Sequence, residues 1–255
     1  MTQSVAMQPG REFAGKVAIV TGAARNIGRS IALALAAGGA RVAVTTRAAI
    51  EQANAVVEEI RGGGGEAAAF TADNAERAQI EAAVDAVLKR FGRIDMLVLN
   101  AAVREHGPVT EISYEDWRRI LATDLDSAFI YTKACLPALI EAGGGSIVTF
   151  AGVTALLGEK GRAHVAVAKH GIVGLTKALA NDLAQYGIRV NCVSPGQIDT
   201  SRAPGNERPN KVDRIPLGRK GESDEIAATV RFLCGPGASY ITGQTWHVNG
   251  GLTMY

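Results

Sequence analysis

The stretch that decides the fold is Val17-Ala18-Ile19-Val20-Thr21-Gly22-Ala23-Ala24-Arg25-Asn26-Ile27-Gly28. Its apolar and β-branched beginning predicts a short buried strand. The strand runs into a glycine-rich turn and then into a helical pattern at Ile27–Ala37. Glycines let the backbone turn tightly and approach a phosphate, while a helix N-terminus offers N–H donors and partial positive charge. This order of strand, turn and helix predicts a site for a pyrophosphate-bearing cofactor.

The rest of the chain repeats the alternation of strand and helix patterns. Near-continuous apolar strands separated by helices indicate a parallel sheet that is covered on both faces. We therefore predict an α/β fold, a single-domain Rossmann-type doubly wound seven-stranded parallel sheet with helices on both faces. The predicted strands are Lys16–Thr21, Arg41–Thr46, Ala67–Thr71, Met96–Asn100, Ser146–Phe150, Arg189–Val193 and Thr245–Val248. The predicted helices are Ile27–Ala37, Ala48–Arg61, Ala75–Phe91, Tyr114–Glu141, Ala163–Tyr186 and Ser223–Leu233.

The domain organisation predicted from these patterns is simple. Residues 1–14 are polar and predict a flexible leader, and residues 15–255 predict a single dinucleotide-binding and catalytic domain. The segment Ser201–Arg214 has two prolines, a glycine and charges of both signs, and it breaks the alternation. A long polar connection of this kind predicts a flap over the substrate.

Composition excludes several classes of protein. Apolar residues make up 47% of the chain, which is enough for a large core, and the net charge of +2 gives no reason to expect a nucleic-acid partner. No apolar run reaches the roughly 18 residues that would span a membrane, and the first residues lack the pattern of a signal peptide. Cys135, Cys192 and Cys234 are widely separated, which indicates reduced thiols rather than disulfides or a metal site. We therefore expect a cytoplasmic protein without a bound metal.

The end of the second strand indicates which nicotinamide cofactor is preferred. A carboxylate there would bind the adenine-ribose hydroxyls of NAD(H), but the sequence reads Thr45-Thr46-Arg47. Arg47 and Arg25 instead place two cations where a 2′-phosphate would lie, and guanidinium matches phosphate in shape and charge. This favours NADP(H) over NAD(H); the alternative is that either arginine is a solvated surface charge.

Further segments follow the glycine turn in a fixed order: Ala72-Asp73-Asn74, Leu99-Asn100-Ala101-Ala102, Asn191–Thr200, Ile215–Arg219 and Thr242–Gly251. With the turn itself, they resemble the short-chain dehydrogenase/reductase family, most closely its 3-oxoacyl-carrier-protein-reductase-like branch. The resemblance covers about residues 12–252. Asn26 stands in place of the middle glycine of the family's turn, and this departure is mild because asparagine tolerates left-handed backbone.

The resemblance implies the set of cofactor-binding residues and an assembly. Family members are usually tetrameric, so a homotetramer is implied, with Phe129, Tyr131, Trp246 and Tyr255 as candidate contact residues. The implied cofactor residues are Gly22, Ala24, Arg25, Asn26, Ile27, Gly28, Thr46, Arg47, Ala72, Asp73, Asn74, Asn100, Ala101, Ala102, Lys169, Pro195, Gly196, Ile198 and Thr200.

The catalytic positions depart from the family pattern. The family uses tyrosine to transfer the proton of the substrate oxygen, serine to hydrogen-bond that oxygen, lysine to bind the ribose, and asparagine to anchor a water. The resemblance places Val165 at the tyrosine position, Gly152 at the serine position and Asp124 at the asparagine position, and only Lys169 is retained. Chemistry on a carbonyl/alcohol pair therefore needs a non-standard proton path.

Several nearby residues are candidates for that path. Asp124 is an acid or base near Lys169, or it forms an ion pair with Lys169 that fixes the lysine on the ribose. Thr154 offers a hydroxyl close to Gly152. Gly152 and Val165 are also expected to make the pocket larger and less polar.

Other polar residues close to these positions receive a structural interpretation. His164 and His170 each point about 100° away from their neighbours Val165 and Lys169 on a helix, so they are interpreted as satisfied or interface histidines. Arg162 and Glu159 are expected to be solvent-exposed.

Three functions stay open at this point. The first is an NADP(H)-dependent oxidoreductase with an unusual proton path. The second is an NADP(H)-binding protein without redox turnover, acting as a sensor or an inactive subunit. The third is a lyase or dehalogenase-like enzyme on the same scaffold. Intact cofactor motifs favour the first two, and the missing serine and tyrosine favour the last two.

Overall fold

In the computed structural model of the protein, residues 10–153, 157–200 and 212–254 are described. Seven strands form one sheet in the order β3-β2-β1-β4-β5-β6-β7, and every neighbouring pair is parallel. The predicted fold class is confirmed. The strands are β1 (Val17–Thr21), β2 (Arg41–Thr46), β3 (Ala67–Thr71), β4 (Met96–Leu99), β5 (Gly145–Phe150), β6 (Ile188–Pro195) and β7 (Thr245–Val248).

Helices cover both faces of this sheet because alternate strand residues point to opposite sides. Ala18 and Val20 of β1 pack into one core, and Val17 and Ile19 pack into the other. The first core is closed by α1, α2 and α7, and the second by α3, α5 and α6. The helices are α1 (Asn26–Ala37), α2 (Ile50–Gly62), α3 (Arg77–Phe91), α4 (Tyr114–Leu121), α5 (Ser127–Glu141), α6 (Ala163–Leu183) and α7 (Ser223–Cys234).

The predicted helix Tyr114–Glu141 is helical throughout, but its winding changes in the middle. Residues Ala122–Asp126 form a π-helical turn between α4 and α5. Such a turn accommodates one extra residue and is frequent at functional sites. Here it contains Asp124, so the turn decides where that carboxylate points.

The predicted leader is too long, because its last residues pack on the domain. Phe13 is buried in the first core, and its N–H donates to the carbonyl of Gly38 at 2.8 Å. Glu12 accepts a hydrogen bond from Nε of Arg231 at 2.6 Å. Most of the predicted flap, residues 201–211, lies outside the described residues, as do Thr154 and Tyr255.

Two further properties concern the described residues alone. None of their helices is both long and apolar enough to cross a membrane. Their His, Cys, Asp and Glu side chains also form no group of three or more that would suit a metal ion.

Candidate functional site

A cleft of about 560 Å³ lies at the carboxyl edge of the sheet. It is formed by the connections that follow β1, β2, β3 and β4. In the strand order, the connections from β1 and β4 lead to opposite sides, which is the point where open α/β sheets bind ligands. The topology therefore places a ligand site beside the glycine-rich turn.

The glycine-rich turn is fitted tightly against its surroundings. A Cβ added to Gly28 would lie 2.3 Å from the carbonyl oxygen of Gly22, and one added to Gly22 would lie 2.9 Å from Cα of Ala101. Asn26 has a φ of +51° and is the one non-glycine residue of the described chain with a positive φ. Asn26 therefore adopts the left-handed backbone conformation that its residue type was predicted to tolerate.

The N-terminus of α1 is open to an anion. Arg25 at its N-cap makes no side-chain capping bond, and the first turn has no acidic residue. The N–H groups of a first helical turn lack partners within the helix, and a bound phosphate satisfies them. The turn therefore fits a pyrophosphate both sterically and electrostatically.

Asn100 fixes the floor of the cleft. Its Nδ2 donates to the carbonyl oxygens of Thr21 and Gly22 at 3.0 and 3.2 Å. In return, the N–H of Ala101 donates to Oγ1 of Thr21 at 3.0 Å. These bonds join the carboxyl ends of β1 and β4 and hold the glycine turn in place.

Two exposed arginines line one end of the cleft. Arg25 and Arg47 both border it, and neither has an ion-pair partner among the described residues. Thr46, the last residue of β2, is buried, and its Oγ1 accepts a hydrogen bond from the N–H of Ala49 at 3.2 Å. Both guanidinium groups are therefore available to a phosphate on the adenine ribose.

The structure gathers every predicted cofactor residue into this cleft or into a smaller cavity next to it. It also adds residues that sequence reasoning missed, notably Gln52, Val103, Arg104 and Thr123. The predicted residues in the cleft are Gly22, Ala24, Arg25, Asn26, Ile27, Gly28, Thr46, Arg47, Ala72, Asp73, Asn74, Asn100, Ala101, Ala102 and Thr200. Those in the smaller cavity are Lys169, Pro195, Gly196 and Ile198.

A buried tyrosine lies behind the cleft. The hydroxyl of Tyr131 donates to Oδ1 of Asn74 at 3.5 Å, and burial raises the pKa of Tyr131 to about 12 despite a hydrogen bond with Thr45. Tyr131 lines neither the cleft nor the smaller cavity. It belongs to the core, so its predicted place in a subunit interface is wrong.

The smaller cavity, about 30 Å³ within the described residues, is bordered by Gly152, Val165 and Lys169. Among the described atoms, a Cβ on Gly152 would meet the carbonyl oxygen of Pro195 alone, at 4.0 Å, although its φ of +159° disfavours other residues. Val165 is buried against Ile120 and Ala168. Neither position offers a hydroxyl to a substrate.

Asp124 and Lys169 form a buried ion pair beside this cavity. Oδ2 of Asp124 lies 3.4 Å from Nζ of Lys169, and the two side chains are 0% and 7% exposed. Oδ1 of Asp124 accepts a hydrogen bond from the N–H of Val103 at 2.7 Å. Of the two alternatives given for Asp124, the structure thus shows the ion pair, and the π turn and the loop after β4 hold it.

Arg162 corrects the sequence analysis. It was expected to be solvent-exposed, but its side chain is 3% exposed and borders the cavity. Its Nε lies 3.4 Å from Oε2 of Glu159 and donates to Nε2 of His106 at 2.7 Å. The expectation failed because these partners come from two different loops. With Arg104 also in the wall, the cavity is more polar than Gly152 and Val165 implied.

The two histidines of α6 differ in their surroundings. His170 is exposed, and its Nδ1 lies 3.2 Å from the carbonyl oxygen of Ala166. His164 is buried, and its Nδ1 has no hydrogen-bond partner among the described residues. The interpretation of His164 as a satisfied histidine is therefore wrong for this atom.

Comparison with known proteins agrees with this geometry. A sequence model described as enoyl-(acyl carrier protein) reductase matches residues 22–253. The chain is 39% identical to the 3-oxoacyl-[acyl-carrier-protein] reductase of Synechocystis over 94% of its length and 98% of that protein. It is 38% identical to the corresponding reductase FabG of Escherichia coli K12, with 95% and 99% of the two chains covered.

Solved structures give the same result. A blue fluorescent protein from a metagenomic library, in complex with NADPH, superimposes with a TM-score of 0.90 at 35% identity, covering 95% of this chain and 100% of that one. A short-chain dehydrogenase of Burkholderia cenocepacia in complex with NADP gives 0.89 at 34% identity, with 94% and 99% covered. By sequence, topology and cleft, this chain belongs to the short-chain dehydrogenase/reductase family of oxidoreductases.

Proposed function

We propose that the protein is an NADP(H)-dependent oxidoreductase that interconverts a carbonyl compound and its alcohol. The open N-terminus of α1 and the close contacts of Gly22 and Gly28 support binding of the pyrophosphate. Bound NADP(H) supplies hydride to the substrate carbon or accepts it. Lys169 borders the cavity where that carbon would lie.

The preference for NADP(H) rests on Arg25 and Arg47. Both are exposed at the cleft and have no ion-pair partner among the described residues, so a 2′-phosphate gains two cations without breaking an existing pair. Two structural relatives were solved with NADPH or NADP bound, which supports the same choice.

The proton path is the unusual part of the proposal. We place Val165, Gly152 and Asp124 at the positions where the family has its tyrosine, serine and asparagine. The observation that carries the proposal is the buried pair of Asp124 and Lys169, which puts an ammonium group at the cavity wall. Lys169 donates the proton to the substrate oxygen directly or through water, and Asp124 holds the Lys169 side chain in position.

The first test separates binding from turnover. Titration with NADPH and NADH, followed by nicotinamide fluorescence, is expected to show tighter binding of NADPH. A panel of aldehydes and ketones is then screened for NADPH oxidation. Lys169→Met should abolish turnover, whereas Lys177→Met, an exposed lysine two turns further along α6, should not. Failure to bind either cofactor would overturn the proposal, and unchanged turnover in Lys169→Met would overturn the role of Lys169.

A second candidate is an NADP(H)-binding protein without redox turnover, acting as a sensor or an inactive subunit. It is favoured by one observation: among the described residues that line the cavity, none is a serine or a tyrosine. NADPH binding without oxidation by any carbonyl compound would support this candidate over the first.

The assembly is proposed on the family resemblance. We propose a homotetramer, with Phe129 and Trp246 among the contact candidates that remain. Phe129 is half exposed on α5, and Trp246 packs on Phe232 with ring centroids 5.6 Å apart. Analytical ultracentrifugation gives the oligomeric state directly, and a monomer at micromolar concentration would contradict the proposal.

A further inference from the structure

The wall of the small cavity contains three cationic side chains. Arg104, Arg162 and Lys169 all border it, and the described residues of its lining include no aspartate or glutamate. The carboxylates of Asp124 and Glu159 pair with Lys169 and Arg162, and neither residue belongs to the described lining. The lining thus contributes three cationic side chains, two of which already pair with a carboxylate.

Arg162 lines the cavity together with Val165 and Lys169. It immediately precedes α6, and residues 162, 165 and 169 are spaced three and four apart, so they lie along one face of the helix. Lys169 and Val165 of that face border the same cavity. The Arg162 side chain thus lies in the wall about one helical turn before Val165.

The orientation of Arg162 is fixed by two loops. Nε2 of His106 accepts hydrogen bonds from Nε and Nη2 of Arg162, and Glu159 pairs with the same guanidinium. The N–H of Gly107 donates to the carbonyl of Gly161 at 2.9 Å, which ties the loop after β4 to the loop before α6. Because the side chain is held before a ligand arrives, binding an anion costs little conformational entropy.

From these observations we infer that the substrate carries a carboxylate within three carbons of its reacting carbonyl, and that Arg162 and Arg104 bind this carboxylate. The inference rests on the proposed oxidoreductase function and specifies its substrate class as an oxo acid and the matching hydroxy acid. Guanidinium binds carboxylate through paired N–H donors, which would orient the carbonyl toward Lys169.

The reaction balances with the groups already named. In the reductive direction, hydride adds to the carbonyl carbon, the C=O π pair moves to oxygen, and that oxygen takes a proton from Lys169. The oxo acid becomes a hydroxy acid, NADPH is oxidised to NADP⁺, and the lysine regains its proton from water. The positive charge of Arg162 also stabilises the negative charge that develops on the oxygen.

The test compares acids with their neutral esters. Pyruvate, acetoacetate and levulinate are each paired with the methyl ester, and binding to the NADPH complex is measured by calorimetry, with NADPH oxidation followed in parallel. The intact protein should bind at least one acid about tenfold more tightly than its ester. Arg162→Met should remove that preference, Arg104→Met should weaken it, and Arg162→Lys should retain part of it.

The controls keep the two proposals apart. Arg77→Met changes an exposed arginine at the start of α3 and should leave the acid preference intact. NADPH titration and thermal unfolding are run first on each variant, so failure of cofactor binding counts against the proposed function alone. The same acid and ester pairs are also titrated without NADPH. Equal binding of acid and ester in all three pairs, or a preference that survives in folded Arg162→Met, overturns the inference.

Discussion

The cleft and the smaller cavity beside it form the two ends of one site, and these ends satisfy their polar groups in opposite ways. At the Gly22–Gly28 turn, the first helical turn has no side-chain cap and no acidic residue, and two exposed arginines have no ion-pair partner among the described residues. At the other end, Lys169 and Arg162 are buried and already paired with carboxylates. Ligand binding at the first end depends on glycines that leave space beside the backbone. Chemistry at the second end depends on which side chains are present. Capacity to bind the cofactor can therefore persist while the chemistry beside it changes.

The largest expected effect comes from introducing serine and tyrosine hydroxyl groups at positions 152 and 165 of the second end. Gly152→Ser with Val165→Tyr should raise kcat/KM for carbonyl reduction by about 10²–10⁴-fold, because a positioned acid and a hydrogen-bond donor are gained. NADPH oxidation measures the change. Gly152→Ala with Val165→Phe adds similar bulk without hydroxyls, and an equal gain in that variant would contradict the explanation.

The next effect concerns the buried pair. Asp124→Ala should lower the free energy of unfolding by about 3 kcal/mol, because it leaves the Lys169 charge buried without its partner. Urea unfolding measures the loss, and adding Lys169→Met should recover part of it. Glu81→Ala, which removes the exposed Arg77–Glu81 pair, serves as the matched control and should cost under about 1 kcal/mol.

At the first end, a steric clash at Gly28 should weaken NADPH binding. Gly28→Ala places a Cβ against the carbonyl of Gly22 and should weaken NADPH binding by roughly thirtyfold, equivalent to about 2 kcal/mol. Fluorescence titration gives the dissociation constant. Gly174→Ala is the control, because that glycine of α6 has open space around it. Similar affinities for all three proteins would show that the turn does not contact the cofactor.

The smallest effect tests the choice of cofactor. Arg47→Met should weaken NADPH binding about fivefold, close to 1 kcal/mol for an exposed charge pair, and should leave NADH binding unchanged. The ratio of the two dissociation constants is the relevant measurement, with Arg61→Met as a control outside the cleft. An equal loss for both cofactors would point to a general surface-charge effect.

The sequence predicted which residues gather around the glycine-rich turn, because the signals there are local. A strand, a turn and a helix follow one another within a few residues, and Asn26 adopts the left-handed backbone that its residue type was said to tolerate. The catalytic end depends on contacts between distant segments. The burial of Arg162 results from His106 and Glu159 in separate loops, and no periodic pattern marks either partner. The roles assigned to individual residues stay predictions.

The π turn at Ala122–Asp126 makes the position of Asp124 sensitive to the number of residues in this part of the helix. A π turn holds one residue more than the α-helix around it, and each residue of an α-helix rotates the next by about 100°. Deleting one residue other than Asp124 from this turn would restore regular α-helical winding. The Asp124 carboxylate would then rotate away from Val103 and Lys169, while α4 and α5 keep their own core contacts. A variant of this chain shortened by one residue at that turn would thus have a Lys169 without its carboxylate anchor.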